Sequence, residues 1–208
     1  MTSYSQHDEQ DAIGRLIRAW PARAGGNNAR RFLDIGAYDG IRYSNTHFLA
    51  LMGWSGVCVE PSFHPFAKLA RLYRDNPRIV LVNALIGFDW RLVRFWSSPH
   101  AVSTTDAAHH AKWEKKDATF QEIWIPELPL HQLLLQFPGP YDMVNIDCEG
   151  AATERIYAEM AARDFVGARV VCVEWNSVAS LKRRMETAAR QRGMTLQHTT
   201  PQNLIFAR

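Results

Sequence analysis

Apolar residues recur along the chain in two rhythms. Ile13, Leu16, Ile17 and Trp20 fall at i, i+3, i+4 and i+7, one face of an amphipathic helix that Pro21 should end. Gly25-Gly26-Asn27-Asn28 then reads as a loop. After it come short runs that are apolar without alternation: Arg31 to Ile35, Gly56 to Val59, Arg78 to Val82, Tyr141 to Ile146 and Ala168 to Val173. Runs of this length, rich in Val and Ile, suit strands buried on both faces of a parallel sheet. Between them, Ser44 to Met52, Ser62 to Asp75, Gly150 to Arg163 and Ser177 to Arg192 are each long enough for a crossover helix. The alternation predicts a doubly wound, mostly parallel α/β sheet. Met194 to Thr199 and Asn203 to Ala207, flanking Pro201-Gln202, read as a closing C-terminal antiparallel hairpin.

Phe88 to Ile125 breaks this rhythm as an insertion between the third and fourth strands of the sheet. It gathers Phe88, Trp90, Phe95, Trp96, Trp113, Phe120 and Trp124 with His100, His109 and His110. A strand pair at Arg91 to Trp96 and Gln121 to Ile125, with a loop and a short helix between, is the expected form. Its aromatics either pack as a satellite core or face a ligand, and long excursions from an α/β domain often serve as lids.

With 208 residues, 47% of them hydrophobic, the chain suits one domain, spanning 1–208 with the N-terminal helix in 1–24 and the insertion at 88–125. The 24 basic and 21 acidic residues are interspersed, giving a net charge of +3 and no case for nucleic acid or an anionic membrane as partner. The polar, acidic start is unlike a signal peptide, and no apolar run is long enough to span a bilayer. Cys58, Cys148 and Cys172 lack metal-type spacing and read as free thiols in a reducing cytoplasm. The pattern carries no signature of self-association either way.

The strongest chemical signal is Arg-Phe-Leu-Asp34-Ile-Gly36-Ala37-Tyr38-Asp39-Gly40, a strand that runs into a glycine-bearing turn before a helix. Its spacing is D-x-G-x-x-x-G, not the G-x-G-x-x-G of a dinucleotide site. Carboxylates crowding the turn would repel a pyrophosphate but suit a ligand carrying a sulfonium and an ammonium. Glu60, at the end of Gly-Val-Cys-Val-Glu60-Pro61, lies at the offset where an acid takes a ribose diol in nucleoside-binding α/β folds. It could instead only favour the dipole of the helix that follows. Asn83-Ala84 ends the third strand, where an amide or backbone N–H can read an adenine edge. Asp147 and Glu149 leave the fourth strand two residues apart, and Glu174 ends the fifth beside it, so three carboxylates should converge. Asp147 is expected to face the cofactor and act as base, and Glu149 or Glu174 to orient an acceptor. Glu149 could alternatively cap the helix after Gly150. The hard oxygens of this cluster also suit a magnesium ion, although nothing else in the sequence indicates a metal.

These segments together resemble the FkbM-type methyltransferase family. The resemblance runs through Asp34 to Gly40, Ser44-Asn45-Thr46, Gly53-Trp54 to Glu60-Pro61 and Asn83 to Gly87. It continues in order through Val102-Ser103-Thr104, Asn145-Ile-Asp147-Cys-Glu149-Gly150 and Val173-Glu174, covering roughly residues 30 to 207. It implies a Rossmann-like class I methyltransferase sheet, S-adenosyl-L-methionine as cofactor, and O-methylation of a sugar, glycan or polyketide-type small molecule. Cofactor contacts are then expected from Asp34, Gly36, Ala37, Tyr38, Asp39, Gly40, Ser44, Glu60, Pro61, Asn83, Ala84 and Asp147. The acceptor is expected to meet Ser103, Thr104, His109 and His110 under the insertion. Tyr38 stands where the family usually has Asn, and Cys148 where Val or Ile is usual.

Two other functions share the fold. A nicotinamide-dependent oxidoreductase would need the dinucleotide glycine spacing and a hydride-transfer set, neither of which occurs. A nucleic-acid methyltransferase finds some support in Arg183, Arg184, Arg190 and Arg192. Against it, the fourth strand ends in Asp-Cys-Glu-Gly and not in an Asn/Asp-Pro-Pro-aromatic loop for a flipped base.

Overall fold

The computed structural model describes residues 2–18, 20, 30–175 and 177–208; Pro21 and the Gly25 to Asn28 loop lie outside them. Strands β1 (Arg31–Ile35), β2 (Ser55–Val59) and β3 (Ile79–Val82) alternate with helices α2 (His47–Leu51) and α3 (Phe63–Tyr73). A three-stranded sheet follows, built from β4 (Leu85–Gly87), β5 (Arg91–Ser97) and β6 (Gln121–Pro129), with α4 (Ala107–Glu114) between the last two. Helix α5 (Leu130–Gln136) leads into β7 (Met143–Ile146), α6 (Ala151–Ala162), β8 (Val170–Glu174) and α7 (Ala179–Arg190), and the hairpin β9 (Thr195–Thr199) and β10 (Asn203–Ala207) closes the fold.

The main sheet has the order β3-β2-β1-β7-β8-β10-β9, with parallel pairing from β3 through β8 and antiparallel pairing of β10 to both neighbours. The mostly parallel α/β sheet with an antiparallel C-terminal hairpin is therefore as its apolar runs predict. Both faces are covered, which is why the strands read as unbroken apolar runs. On one face Phe32, Cys58, Cys172 and Ile205 pack against Ala12, Ile13 and Ile17 of α1 (Glu9–Arg18), Phe48 and Leu49 of α2, and Leu69 and Tyr73 of α3. On the other, Leu33, Val57, Val144, Val171 and Phe206 meet Leu130 and Leu133 of α5, Ile156, Tyr157 and Met160 of α6, and Met185 of α7.

Helix α2 is shorter than its sequence pattern suggests. The Ser44 hydroxyl accepts the N–H groups of Thr46 and His47 at 3.3 and 3.0 Å, turning the chain before the helix starts. Two elements have no clear sequence signal, β4 and α5. The first exists because β4 pairs in parallel with the far end of β6, which runs past Ile125 to Pro129. Buried Glu127 ties this junction together, accepting Asp89 N–H at 3.2 Å, Arg91 Nε at 3.0 Å and the Phe88 N–H. Burial alone would raise its carboxyl, but these donors outweigh that and hold it below the ordinary value. Glu127→Ala leaves two backbone donors unpaired and should cost about 1–3 kcal/mol of stability, read by chemical denaturation. A loss within about 0.5 kcal/mol, the scale of ordinary surface changes, would mean that this carboxylate does not hold the junction.

Candidate active site

The register of the parallel strands brings the acids together. Ile35 pairs with Val59 on one side and Ile146 on the other, and Ile146 pairs with Val173, so these four residues lie level across β2, β1, β7 and β8. Asp34 sits one residue before that line, and Glu60, Asp147 and Glu174 sit one residue beyond it. All four line one cavity of about 530 Å³ at the carboxyl ends of the strands, where open α/β sheets bind their ligands.

Each acid is held differently. Asp34 is buried and accepts Thr46 Oγ1 at 2.6 Å and Asn145 Nδ2 at 2.9 Å; burial still raises its carboxyl above the ordinary range. Glu60 accepts Tyr38 N–H at 3.0 Å through one oxygen and Ser62 N–H at 2.7 Å through the other, so it shapes the start of α3 and faces the cavity at once. Burial raises it to about 7 in spite of those donors. Asp147, Glu149 and Glu174 each bring an oxygen within 4.8 Å of the other two. Burial first, then the neighbouring Glu174, pushes Asp147 well up, and burial with Asp147 beside it takes Glu149 to about 8. Glu149 has a left-handed backbone, φ 56°, and makes no helix cap; α6 starts at Ala151 with Gly150 as its N-cap residue and no side-chain cap, so the capping alternative does not describe Glu149.

The glycine turn fixes the floor. Gly36, at φ 96°, passes so close to β7 that a Cβ would lie 1.7 Å from the Asp147 carbonyl oxygen. Gly36, Ala37, Tyr38, Ser44, Pro61 and Ala84 all line the cavity, but Asp39, Gly40 and Asn83 do not. Asp39 closes the turn by accepting the N–H groups of Ile41 and Arg42. Gly40 makes room for α3, since a Cβ there would meet Leu69 at 2.6 Å. Asn83 donates through its amide nitrogen to the Glu60 and Pro61 carbonyls at 2.7 and 3.3 Å, bracing the backbone beside Glu60. Asn45 joins the wall without having been singled out: it is 2% exposed, donates to Asn145 Oδ1 at 3.1 Å, and its own Oδ1 has no donor. Its place in the Ser44-Asn45-Thr46 stretch was the only available signal.

The insertion supplies the opposite wall through Phe95, Val102, Ser103, Thr104, His109 and Trp113. Ser103 is engaged with Ser98, and Thr104 pairs with Trp96 and accepts Asp106 N–H, so both stabilise the loop they line. His110 is not part of the wall. One residue along a helix turns about 100°, and His110 stacks on Trp96 at 4.6 Å and meets Phe120 edge-on. His109 faces the carboxylates, its Nε2 3.4 Å from Glu149 Oε2, and burial lowers its basicity ahead of Lys112. Trp90 and Trp124 face outward, whereas Phe95 and Trp96 are buried, so the insertion's aromatics divide between solvent and packing. The Tyr38 hydroxyl donates to the Pro99 carbonyl at 2.9 Å, joining glycine turn and insertion across the cavity. On α7, Arg184 pairs with Glu154 and Arg190 with Glu186.

Glu60 gives this site a pH signature. Its folded value, about 7, lies above the ordinary 4.5, so folding takes up a proton and the contribution is fully present below pH 4.5 and lost as pH rises through 7. The unfolding free energy of the wild type should therefore fall relative to that of Glu60→Gln by about 1.4 kcal/mol per pH unit between pH 5 and 7, then level off. Denaturant titrations across pH check this. A difference that stays constant with pH would show that Glu60 is ionised throughout.

Residues 34–193 match the family model described as the methyltransferase FkbM domain, well over half of the chain. No curated protein matches it. Among solved structures, the ribosomal protein L11 methylase of Lactobacillus delbrueckii subsp. bulgaricus is 11% identical, with 95% of this chain and 76% of that one covered at a TM-score of 0.46. The human methyltransferase 10 domain containing protein is 14% identical, with 96% and 80% covered at 0.46. Fibrillarin of Aeropyrum pernix, described with natively bound S-adenosyl-L-methionine, is 12% identical, with 86% and 66% covered at 0.44. Likeness at this level says nothing of substrate. The family match, on a Rossmann-like sheet whose acids gather at its carboxyl edge, does decide membership: this chain belongs to the FkbM-domain methyltransferases.

Proposed function

We propose that the protein uses S-adenosyl-L-methionine to methylate a hydroxyl of a sugar, glycan or polyketide-type small molecule. The observation that carries the reading is Glu60, a buried carboxylate in the cavity wall with one backbone donor on each oxygen. A carboxylate accepts about four hydrogen bonds, so Glu60 has room for the two donors of a ribose diol. Asn45 Oδ1, buried beside the same turn without a donor, suits the ammonium of an amino-acid tail, and Asp34 adds negative charge nearby. Pro61, Ala84, Leu85 and Ile86 offer an apolar wall for an adenine ring. A dinucleotide fits this donor set poorly, because its pyrophosphate would meet Asp34, Glu60 and Asp147.

When bound, the cofactor supplies an electrophilic methyl group carried on a sulfonium. The chain's own task is to align the acceptor oxygen and remove its proton. We assign the lid role to the insertion at 88–125, with Phe95, Val102 and Trp113 as apolar walls and Thr104 and His109 nearest the acceptor. Asp147, whose burial beside Glu174 raises its affinity for a proton, takes the proton that the acceptor hydroxyl gives up. Glu149 and Glu174 orient the hydroxyl. A nucleic-acid acceptor is less well supported, since Arg184 and Arg190 of α7 are already engaged with glutamates.

Calorimetry should find S-adenosylmethionine and S-adenosylhomocysteine binding near −8 kcal/mol, roughly micromolar affinity, and NAD far more weakly. Glu60→Ala should lose about 1–3 kcal/mol of that binding. Incubation with labelled donor and a panel of sugar nucleotides, glycans and macrolides, followed by mass spectrometry, should place one methyl group on a hydroxyl oxygen. Tight NAD binding without donor binding, or methylation of nucleic acid alone, would contradict the proposal.

A further inference from the structure

Three carboxylates crowd the floor of the cavity, and a fourth group faces them with an unused nitrogen. Oxygens of Asp147, Glu149 and Glu174 lie within 4.8 Å of one another. His109, on α4 of the insertion, is 8% exposed, and its Nε2 is buried without a hydrogen-bond partner although it stands 3.4 Å from Glu149 Oε2. The imidazole is not there by chance of a floppy loop. The Asp106 side chain caps α4 by accepting the N–H groups of Ala108 and His109 at 2.8 and 3.3 Å, and Gly150 runs close enough that a Cβ on it would meet Asp106 at 3.1 Å. The cap and this contact hold the start of α4 against the turn that carries Glu149.

We propose that Asp147, Glu149, Glu174 and His109 form a site for one hard divalent cation, Mg²⁺ or Mn²⁺. Three like charges drawn together away from bulk water repel one another, and a divalent cation offsets two of them. Oxygen-rich ligation suits Mg²⁺ and Mn²⁺, and the single imidazole is acceptable to Mn²⁺, whereas zinc sites are typically richer in nitrogen or sulfur. Three ligand atoms about an ion with bonds of about 2.1 Å lie at most roughly 3.6 Å apart from one another, so the three carboxylates close on an ion with side-chain adjustments of roughly an ångström, and His109, next to Glu149 but outside that 4.8 Å group, reaches it by a further side-chain movement. A neutral imidazole nitrogen is the form that ligates a metal, and His109 Nε2 is buried without a hydrogen-bond partner on the side facing the carboxylates. Because His109 comes from the insertion and the carboxylates from the ends of β7 and β8, the ion would fasten the insertion onto the sheet. A hydroxyl brought to it would also lose its proton more readily, to the Asp147 carboxylate oxygen not engaged by the ion, so that Asp147 keeps the base role proposed above.

The test needs no methyl donor, so its failure and the failure of the methyl-transfer reading are separate events. The full chain is stripped with chelator, titrated with Mn²⁺ at mildly alkaline pH, and free Mn²⁺ is read by electron paramagnetic resonance. One Mn²⁺ per chain is expected, displaced by excess Mg²⁺. Glu149→Gln and His109→Ala should each weaken binding about tenfold or more, the scale of disturbing a metal's ligand environment, with circular dichroism confirming that each variant is folded. Glu174→Gln should do the same; if it does not fold, the other two variants carry the test. No binding to the folded wild type at millimolar Mn²⁺, or binding that either folded variant leaves unchanged, overturns the site.

Discussion

Carboxylates buried side by side at the end of a parallel sheet repel one another, and the arrangement of this molecule follows from how that repulsion is contained. The register that levels Ile35, Val59, Ile146 and Val173 also gathers Asp34, Glu60, Asp147 and Glu174 at one edge. No single strand could do this. Three of the four have donors of their own: the Asn145 and Thr46 side chains for Asp34, the Tyr38 and Ser62 N–H groups for Glu60, and the Thr153 hydroxyl for Glu174. Burial first, and for Glu149 the neighbouring Asp147 as well, makes protons harder to lose, which raises Glu60 to about 7 and Glu149 to about 8. Hydrogen-bond donors and positive charge brought to such an edge would offset the repulsion that remains.

Much of this was legible in the sequence because burial on both faces erases alternation. Five apolar runs announced β1, β2, β3, β7 and β8, and the charged residue at the end of a run marked where the cavity would open. The remainder depended on contacts between distant segments. Leu85–Gly87 is a strand only because Glu127 to Pro129 lies beside it, and nothing local says so. Asp39 and Asn83 look like ligand-facing polar residues, yet one closes a turn and the other braces a backbone. Their partners are carbonyl and N–H groups that a sequence does not display. His109 and His110 are neighbours in the chain, and only the phase of α4 decides which one meets the carboxylates. Asn45 hides for the same reason, since an unsatisfied acceptor is visible only once its surroundings are known.

Two elements of different origin meet over the acids. The glycine turn is packed directly on the main sheet, whereas the insertion is a separate small sheet with its own buried tie at Glu127. They are joined at the Tyr38 hydroxyl and the Pro99 carbonyl, and the insertion meets the sheet again where His109 approaches Glu149. The glycine turn and the insertion are thus physically connected, through a phenol at the position where the family resemblance leads one to expect asparagine.

If the acidic edge holds protons near neutral pH, as burial of Glu60 and Glu149 implies, a ligand with hydroxyl and ammonium donors should make ionisation favourable and release them. Linked proton release measures this directly. S-adenosylhomocysteine is titrated into chelator-treated protein by calorimetry at pH 6.5–7, in two buffers whose ionisation enthalpies differ widely. The apparent binding enthalpy should differ between the buffers by an amount equal to the release of roughly half a proton to one proton per site. An enthalpy that is the same in both buffers, or one that reports proton uptake, would contradict the claim.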